Sequence, residues 1–234
     1  MSDRKIAFWF IALLSVLVLV PFLGETIFYS KGEPREAIVA YTMLESGNWI
    51  LPTNYGVEIA YKPPFLYWTI AVISSVLGGV TEFSARMPSA LAFLAMQLVF
   101  FSFVAKRKDV KTAFLTSILL LSSFEVHRAA VACRLDMLQV SLIVISLCLL
   151  FRWDEKNCKG IPWLAVLLMA CATLTKGPVG SIFPCLGIGV YQLLRGRSFG
   201  KLSFHCWASG CCPSFLWAFG FGQLISKAER RLSI

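Results

Sequence analysis

Two carboxylates and a guanidinium fall within a single helical turn at Glu33-Pro34-Arg35-Glu36. A carboxylate there can act as a general base or coordinate a divalent cation, and Arg35 can grip a phosphate through two parallel hydrogen bonds. The same four residues also make an ordinary helix start, with Glu33 near the N-cap, Pro34 in the first turn and acidic groups favouring the dipole. Lys62 stands directly before Pro63-Pro64 and an apolar run, so its ammonium is held near headgroup level. That position suits neutralisation of a lipid-linked phosphate, and equally a lysine that snorkels at the interface. Arg134 and Asp136 open another apolar run, and Lys176 closes a third in Thr175-Lys176-Gly177-Pro178. His127, between Glu125 and Arg128, reads as a metal ligand or proton carrier, or as a structural histidine. Arg86 reads as a boundary residue with Glu82 as its partner.

The elements that must position these groups are apolar. Residues of hydrophobic type make up 57% of the 234, and only 15% are charged. A soluble domain of this size could not hide so much apolar surface, so the class expected is all-α, a polytopic transmembrane helical bundle. Apolar runs cover residues 6–23, 65–80, 88–104, 112–124, 135–151, 161–174, 181–194 and 202–224, about eight candidate spans, several of them short. The first follows Arg4 and Lys5 and has no small-residue cleavage site, as in a retained signal anchor with its N-terminus in the cytoplasm. The net charge of +9 sits in short connectors such as Lys106-Arg107-Lys108 and Arg195-Gly196-Arg197. This is an orientation signal and a phospholipid contact, and nucleic acid is not expected as a partner. Cys133, Cys148, Cys171 and Cys185 lie in or beside apolar runs as small fillers, and Cys206, Cys211 and Cys212 lack a second ligand cluster for zinc.

The signal-anchor orientation puts the long polar segment 24–64 outside. Within it Ala37, Tyr41 and Leu44 recur at helical spacing and Gly47 is a stop, giving an amphipathic helix on the membrane surface. Trp49 and Tyr55 fit the interfacial aromatic belt. Basic loops at 105–111, 152–160 and 195–201 all read as cytoplasmic, which requires that one of the runs 65–80 and 88–104 does not span. The shorter, Gly78-Gly79-broken 65–80 is the expected exception. Glu33, Arg35, Lys62, Arg134, Asp136 and Lys176 then share the outer face.

The stretches GEPREAIVAYTMLESGNWILP, AYKPPFLYW and TEFSARMPSALA, followed by RLDMLQ and LTKGPVG, closely resemble the family 39 glycosyltransferases over roughly residues 5–195. That group contains protein O-mannosyltransferases and the aminoarabinose transferase that modifies lipid A. The resemblance implies a GT-C fold, a polyprenyl-phosphate sugar donor, and a bacterial inner membrane location with the active face periplasmic. It implies Glu33 and Asp136 as catalytic carboxylates, and Arg35, Lys62, Arg134 and Lys176 as substrate-binding cations. Two departures stand out: the family's Asp-Glu-x-Arg is here Gly32-Glu33-Pro34-Arg35, and Tyr61 replaces an acidic residue before Lys-Pro-Pro. A divalent cation therefore stays open with no ligand set assigned, as does the oligomeric state. A non-catalytic component that binds or flips lipid-linked phosphate is the alternative. Residues 1–201 are expected to form the N-terminal part of the bundle, and the altered texture of 202–234 is expected to reflect truncation or a frameshift.

Overall fold

The computed structural model describes residues 3–60 and 62–196. Two compact units divide the chain: Met1–Ala60 with Pro64–Ser141, and Tyr61–Pro63 with Leu142–Ile234. The expected span at 202–224 and Cys206, Cys211 and Cys212 lie outside the described residues.

In the first unit α1 (Asp3–Leu19) runs into a 3-10 turn (Val20–Leu23) where Pro21 ends regular α-helical bonding. Helix α2 (Gly32–Ser46) stops at Gly47, whose left-handed φ of 67° suits a residue without Cβ. A short hairpin of β1 (Thr53–Asn54) and β2 (Glu58–Ile59) pairs Thr53 with Ile59 and Asn54 with Glu58. Helix α3 (Phe65–Leu77) ends at left-handed Gly78, and α4 (Glu82–Arg107) begins with a capping box between Thr81 and Ser84. Ser74 donates to Ser84 at 2.9 Å, tying the end of α3 to the start of α4. Helix α5 (Val110–Ser122) is capped by Asp109, which accepts from the Thr112 amide and hydroxyl at 2.8 and 2.7 Å. Those bonds hold the Asp109 carboxyl below its usual range. Helix α6 (Phe124–Ala130) and the first part of α7 (Leu135–Glu155) complete the unit.

Three helices are joined in the first unit by one buried polar chain. Ser15 of α1 donates to Gln97 of α4 at 2.9 Å, and Gln97 donates to the Ser117 carbonyl of α5 at 3.2 Å. All three residues are fully buried, beside a core of Ile11, Phe101 and Ala113. Between apolar helices such bonds hold partners that dispersion alone would leave free to slide, though each adds only about 0.6 kcal/mol on average. Gln97→Leu keeps the volume, so it should cost about 1 kcal/mol in thermal unfolding in detergent. Gln97→Ala also leaves a cavity and should cost about 2–4 kcal/mol. Equal losses would show that the bonds, not the packing, hold these helices.

In the second unit the rest of α7, α8 (Trp163–Lys176) and α9 (Val179–Leu194) enclose Leu150, Trp153, Ala165, Val166, Met169 and Ile188. Gln192 near the end of α9 donates to buried Asp154 of α7 at 2.6 Å. Gly180 brings the α9 backbone against α8: a Cβ there would lie 2.4 Å from the Ala172 carbonyl carbon and the Thr173 nitrogen.

By length and composition, three helical segments among the described residues can cross a membrane: Asp3–Leu23, Glu82–Arg107 and Leu135–Glu155. The other apolar helices α3, α5, α8 and α9 are shorter. At 13 residues α3 rises about 20 Å, well below the roughly 30 Å of hydrocarbon.

Candidate functional site

Helix α2 buries only part of the stripe that apolar periodicity predicts: Ala37 is buried and Leu44 half-buried. Tyr41 is 52% exposed, whereas Glu33 and Glu36 are buried in line with Ala37, Ala40 and Met43. The pattern was misleading because a count of apolar residues passes over two carboxylates that occupy apolar positions. The residue before α2 is Lys31, with no side-chain cap, so Glu33 lies inside the first turn rather than capping it.

Glu33 is fully buried and faces Arg86 of α4, itself 1% exposed. Arg86 Nε donates to Glu33 Oε1 at 3.0 Å and Nη2 reaches Oε2 at 3.5 Å. The Cys133 amide donates to Oε1 at 2.9 Å, and the Tyr29 amide to Oε2 at 3.3 Å. Arg86 in turn donates to the carbonyls of Leu23, Thr26 and Ile27 at 2.9, 2.8 and 3.1 Å, and its guanidinium lies 5.3 Å from the Phe28 ring centroid. The α1–α2 connector, the first turn of α2, α4 and the α6–α7 connector thus converge on one ion pair. Arg86 therefore pairs with Glu33 and not, as its spacing suggested, with Glu82. Both oxygens of Glu33 are taken by fixed donors, a setting that orients backbone rather than exchanging protons with a visitor.

One position after Arg35, Glu36 is also buried, and its Oε1 accepts from Arg35 Nη2 at 3.0 Å. The Arg35 side chain is 46% exposed. Tyr67 of α3, buried at 2%, hydrogen-bonds Glu36. Burial first, then the Glu36 and Glu33 carboxylates, push the Cys133 thiol up, with Arg86 opposing. Cys133 therefore stays a neutral thiol beside both acids. The next residue, Arg134, lies 3.9 Å from Asp136, and both side chains are about half exposed. Ser89 of α4 donates to the Arg134 carbonyl at 3.3 Å, fixing the connector that carries this pair.

Residues 61–215 match the family model described as dolichyl-phosphate-mannose-protein mannosyltransferase. The chain belongs to that family. The undecaprenyl phosphate-alpha-4-amino-4-deoxy-L-arabinose arabinosyl transferase of Shewanella sediminis is 32% identical over 197 residues, covering 82% of this chain and 36% of that one. A protein of Aquifex aeolicus is 28% identical over 225 residues, covering 94% and 44%. The fold is that of ArnT from Cupriavidus metallidurans, solved bound to undecaprenyl phosphate, with a TM-score of 0.80 and 23% identity over 95% of this chain and 42% of that one. Its apo form gives a TM-score of 0.82 over 99% and 44%. The chain spans less than half the length of these relatives. This member of the mannosyltransferase family is an integral membrane protein with a GT-C-like, polytopic helical fold.

Within the family member's first unit lie Glu33, Arg35, Arg134 and Asp136, and the Cys133 amide on Glu33 ties the first turn of α2 to the connector that carries Arg134 and Asp136. Lys62 and Lys176, the last residue of α8, belong to the second unit. Lys62 is half-buried and Lys176 exposed. His127 is half-buried in α6, where Arg128 bonds Glu125 at 2.6 Å. Among the described residues no group of three His, Cys, Asp or Glu side chains is placed to hold a metal ion. Reading along the chain gave Arg86 another partner, left Glu36 without a role of its own, and passed over Tyr67. A signal for Arg86 existed: an arginine followed by a 20-residue helical stretch must find a carboxylate or leave the bundle.

Proposed function

We propose that this chain belongs to a membrane glycosyltransferase that moves a sugar from a polyprenyl-phosphate carrier to an acceptor such as lipid A, a protein or another glycan. The observation that carries this reading is the anchoring of α2 by Glu33 and Arg86. A first turn locked from several directions leaves Arg35 at its half-exposed edge, where a guanidinium with fixed backbone can meet a lipid phosphate. Family membership and the named activity of the Shewanella relative support the same reading.

In this scheme Arg35 and Arg134 bind the donor phosphate, and Asp136 orients Arg134 or receives an acceptor proton. For Lys62 and Lys176, in the second unit, a substrate-binding role rests on the family motifs alone. Glu33 is a positioning residue that acts through Arg86. The donor meets the enzyme at the periplasmic side of an inner membrane, the orientation set by the basic connectors. Charge growing on the leaving phosphate is what these cations stabilise.

The test is binding of undecaprenyl phosphate by the full chain in detergent, followed by native mass spectrometry, against phosphatidylglycerol as the control lipid. Arg35→Ala should weaken undecaprenyl phosphate binding about tenfold or more, the worth of one or two charged hydrogen bonds. Binding no tighter than that of the control lipid would remove the donor from this proposal.

A further inference from the structure

We propose that the groove between the first turns of α1 and α5 binds an anionic phospholipid, with an acyl chain lying between the two helices and the phosphate held at Lys111. This goes beyond the transferase reading and uses none of its residues. The groove lies at the Arg107 end of α4, about 30 Å of helix rise from Arg86.

Helices α1 and α5 start side by side. Ile6, Phe10, Phe114 and Leu115 wall an apolar cavity of about 610 Å³, and Asp3 and Lys111 stand at its mouth. The Phe10 and Phe114 ring centroids, 5.9 Å apart, bring the walls together at the inner end. Arg4 donates to the Ser102 carbonyl at 3.2 Å, which holds the last two turns of α4 beside the same mouth.

The depth of the groove argues for a lipid chain. From Asp3 to Phe10 α1 rises about 10 Å, a third of the hydrocarbon thickness. A spanning partner helix would need a face along most of α1, whereas an acyl chain enters from one leaflet and fits this depth. An empty groove would leave its lining without dispersion partners on one side, and a flexible chain supplies them. Lipid tails are as apolar as these walls, so the choice among lipids falls to the headgroup.

Charge at the mouth favours an anion. Arg4, Lys5, Lys106, Arg107, Lys108 and Lys111 gather at this end of the first unit against Asp3 and Asp109. The Asp109 carboxylate is already engaged by the Thr112 amide and hydroxyl. Arg4 is bound to Ser102, and the Arg107 guanidinium lies 3.5 Å from the Phe103 ring centroid, so these two supply field rather than the contact. Lys111 is exposed at the lip of the groove. Its stem covers the chain while its ammonium meets the phosphate. Asp3 keeps that phosphate to the Lys111 side of the mouth.

The test is native mass spectrometry of the full chain in detergent, titrated with phosphatidylglycerol, phosphatidylcholine and phosphatidylethanolamine. Phosphatidylglycerol should bind about tenfold more tightly than either neutral lipid. Lys111→Ser should weaken phosphatidylglycerol about fivefold, the worth of one basic residue near an anionic headgroup, and an unchanged affinity would overturn the proposal. Leu115→Trp fills the groove and should weaken it about fivefold or more. Should Leu115→Trp not fold, Lys111→Ser decides alone, because an exposed first-turn lysine can be replaced without touching the core. Lys159→Ser, at an exposed lysine of the second unit, should change binding by less than about twofold. An equal loss there would mean a diffuse positive surface and no site. Phosphatidylethanolamine bound as tightly as phosphatidylglycerol would give the mouth to an ammonium at Asp3, against the proposal. A Leu115→Trp chain that keeps its lipid but loses self-association would give the groove to a second copy. Arg35→Ala should leave phosphatidylglycerol in place; its release would put the phospholipid in the site proposed for the donor and remove this one.

Discussion

Arg86→Ala is expected to destabilise the protein by about 3–5 kcal/mol, read as thermal or denaturant unfolding in detergent. The cost comes less from losing attraction than from stranding Glu33, a fully buried carboxylate, without its cation. The carbonyls of Leu23, Thr26 and Ile27 lose their donor in the same step. Glu33→Gln should lose a similar amount, because Arg86 then sits 1% exposed beside a neutral amide. The double variant Glu33→Leu with Arg86→Met should recover much of it, since two apolar groups of similar volume remove both buried charges together. Its donor binding should nevertheless fall, as the first turn of α2 loses its anchor and Arg35 loses its fixed starting point. A double variant that binds donor as well as the unaltered chain would show that the ion pair serves stability alone.

Gly180→Val is the second large effect, expected to cost about 3 kcal/mol or more and to lower the folded yield in detergent. A Cβ at this position lies 2.4 Å from backbone atoms of Ala172 and Thr173, a distance that a side-chain rotation cannot relieve. Helices α8 and α9 must separate, and the buried contacts of Met169 and Ile188 separate with them. Gly180→Ala meets the same backbone with the same Cβ and should lose most of that amount, about 1–3 kcal/mol. By contrast Gly189→Ala, in the same helix with open space at its Cβ, should be neutral or slightly stabilising. If Gly180→Ala and Gly189→Ala melt together, the close approach of the two helices is not what holds this unit.

Much of the architecture could be read from the chain because lipid imposes a coarse rule. Long apolar runs at 88–104, 135–151 and 181–194 fall inside α4, α7 and α9, and Gly47 ends α2 as its backbone freedom requires. The division into two compact units was not visible in this way. It depends on which helices touch, and apolar runs of similar composition carry little information about their neighbours. Helix α2 shows the same limit on a smaller scale: its buried stripe contains two glutamates, which composition places at the surface.

What the sequence determined by itself was the solvent of this protein, the helical class, the segment that carries Glu33, Arg35 and Lys62, and the family motifs. Each of these follows from local residue type and spacing, and local physics is sufficient for them. Only the tertiary structure decided that Arg86 belongs to Glu33, that the Cys133 amide closes the same site, and that Glu36 is held by Arg35 and Tyr67. Arg86 and Cys133 reach Glu33 from 53 and 100 residues away. A buried charge selects its partner by the cost of being left without one, and that cost exists only once the helices have packed.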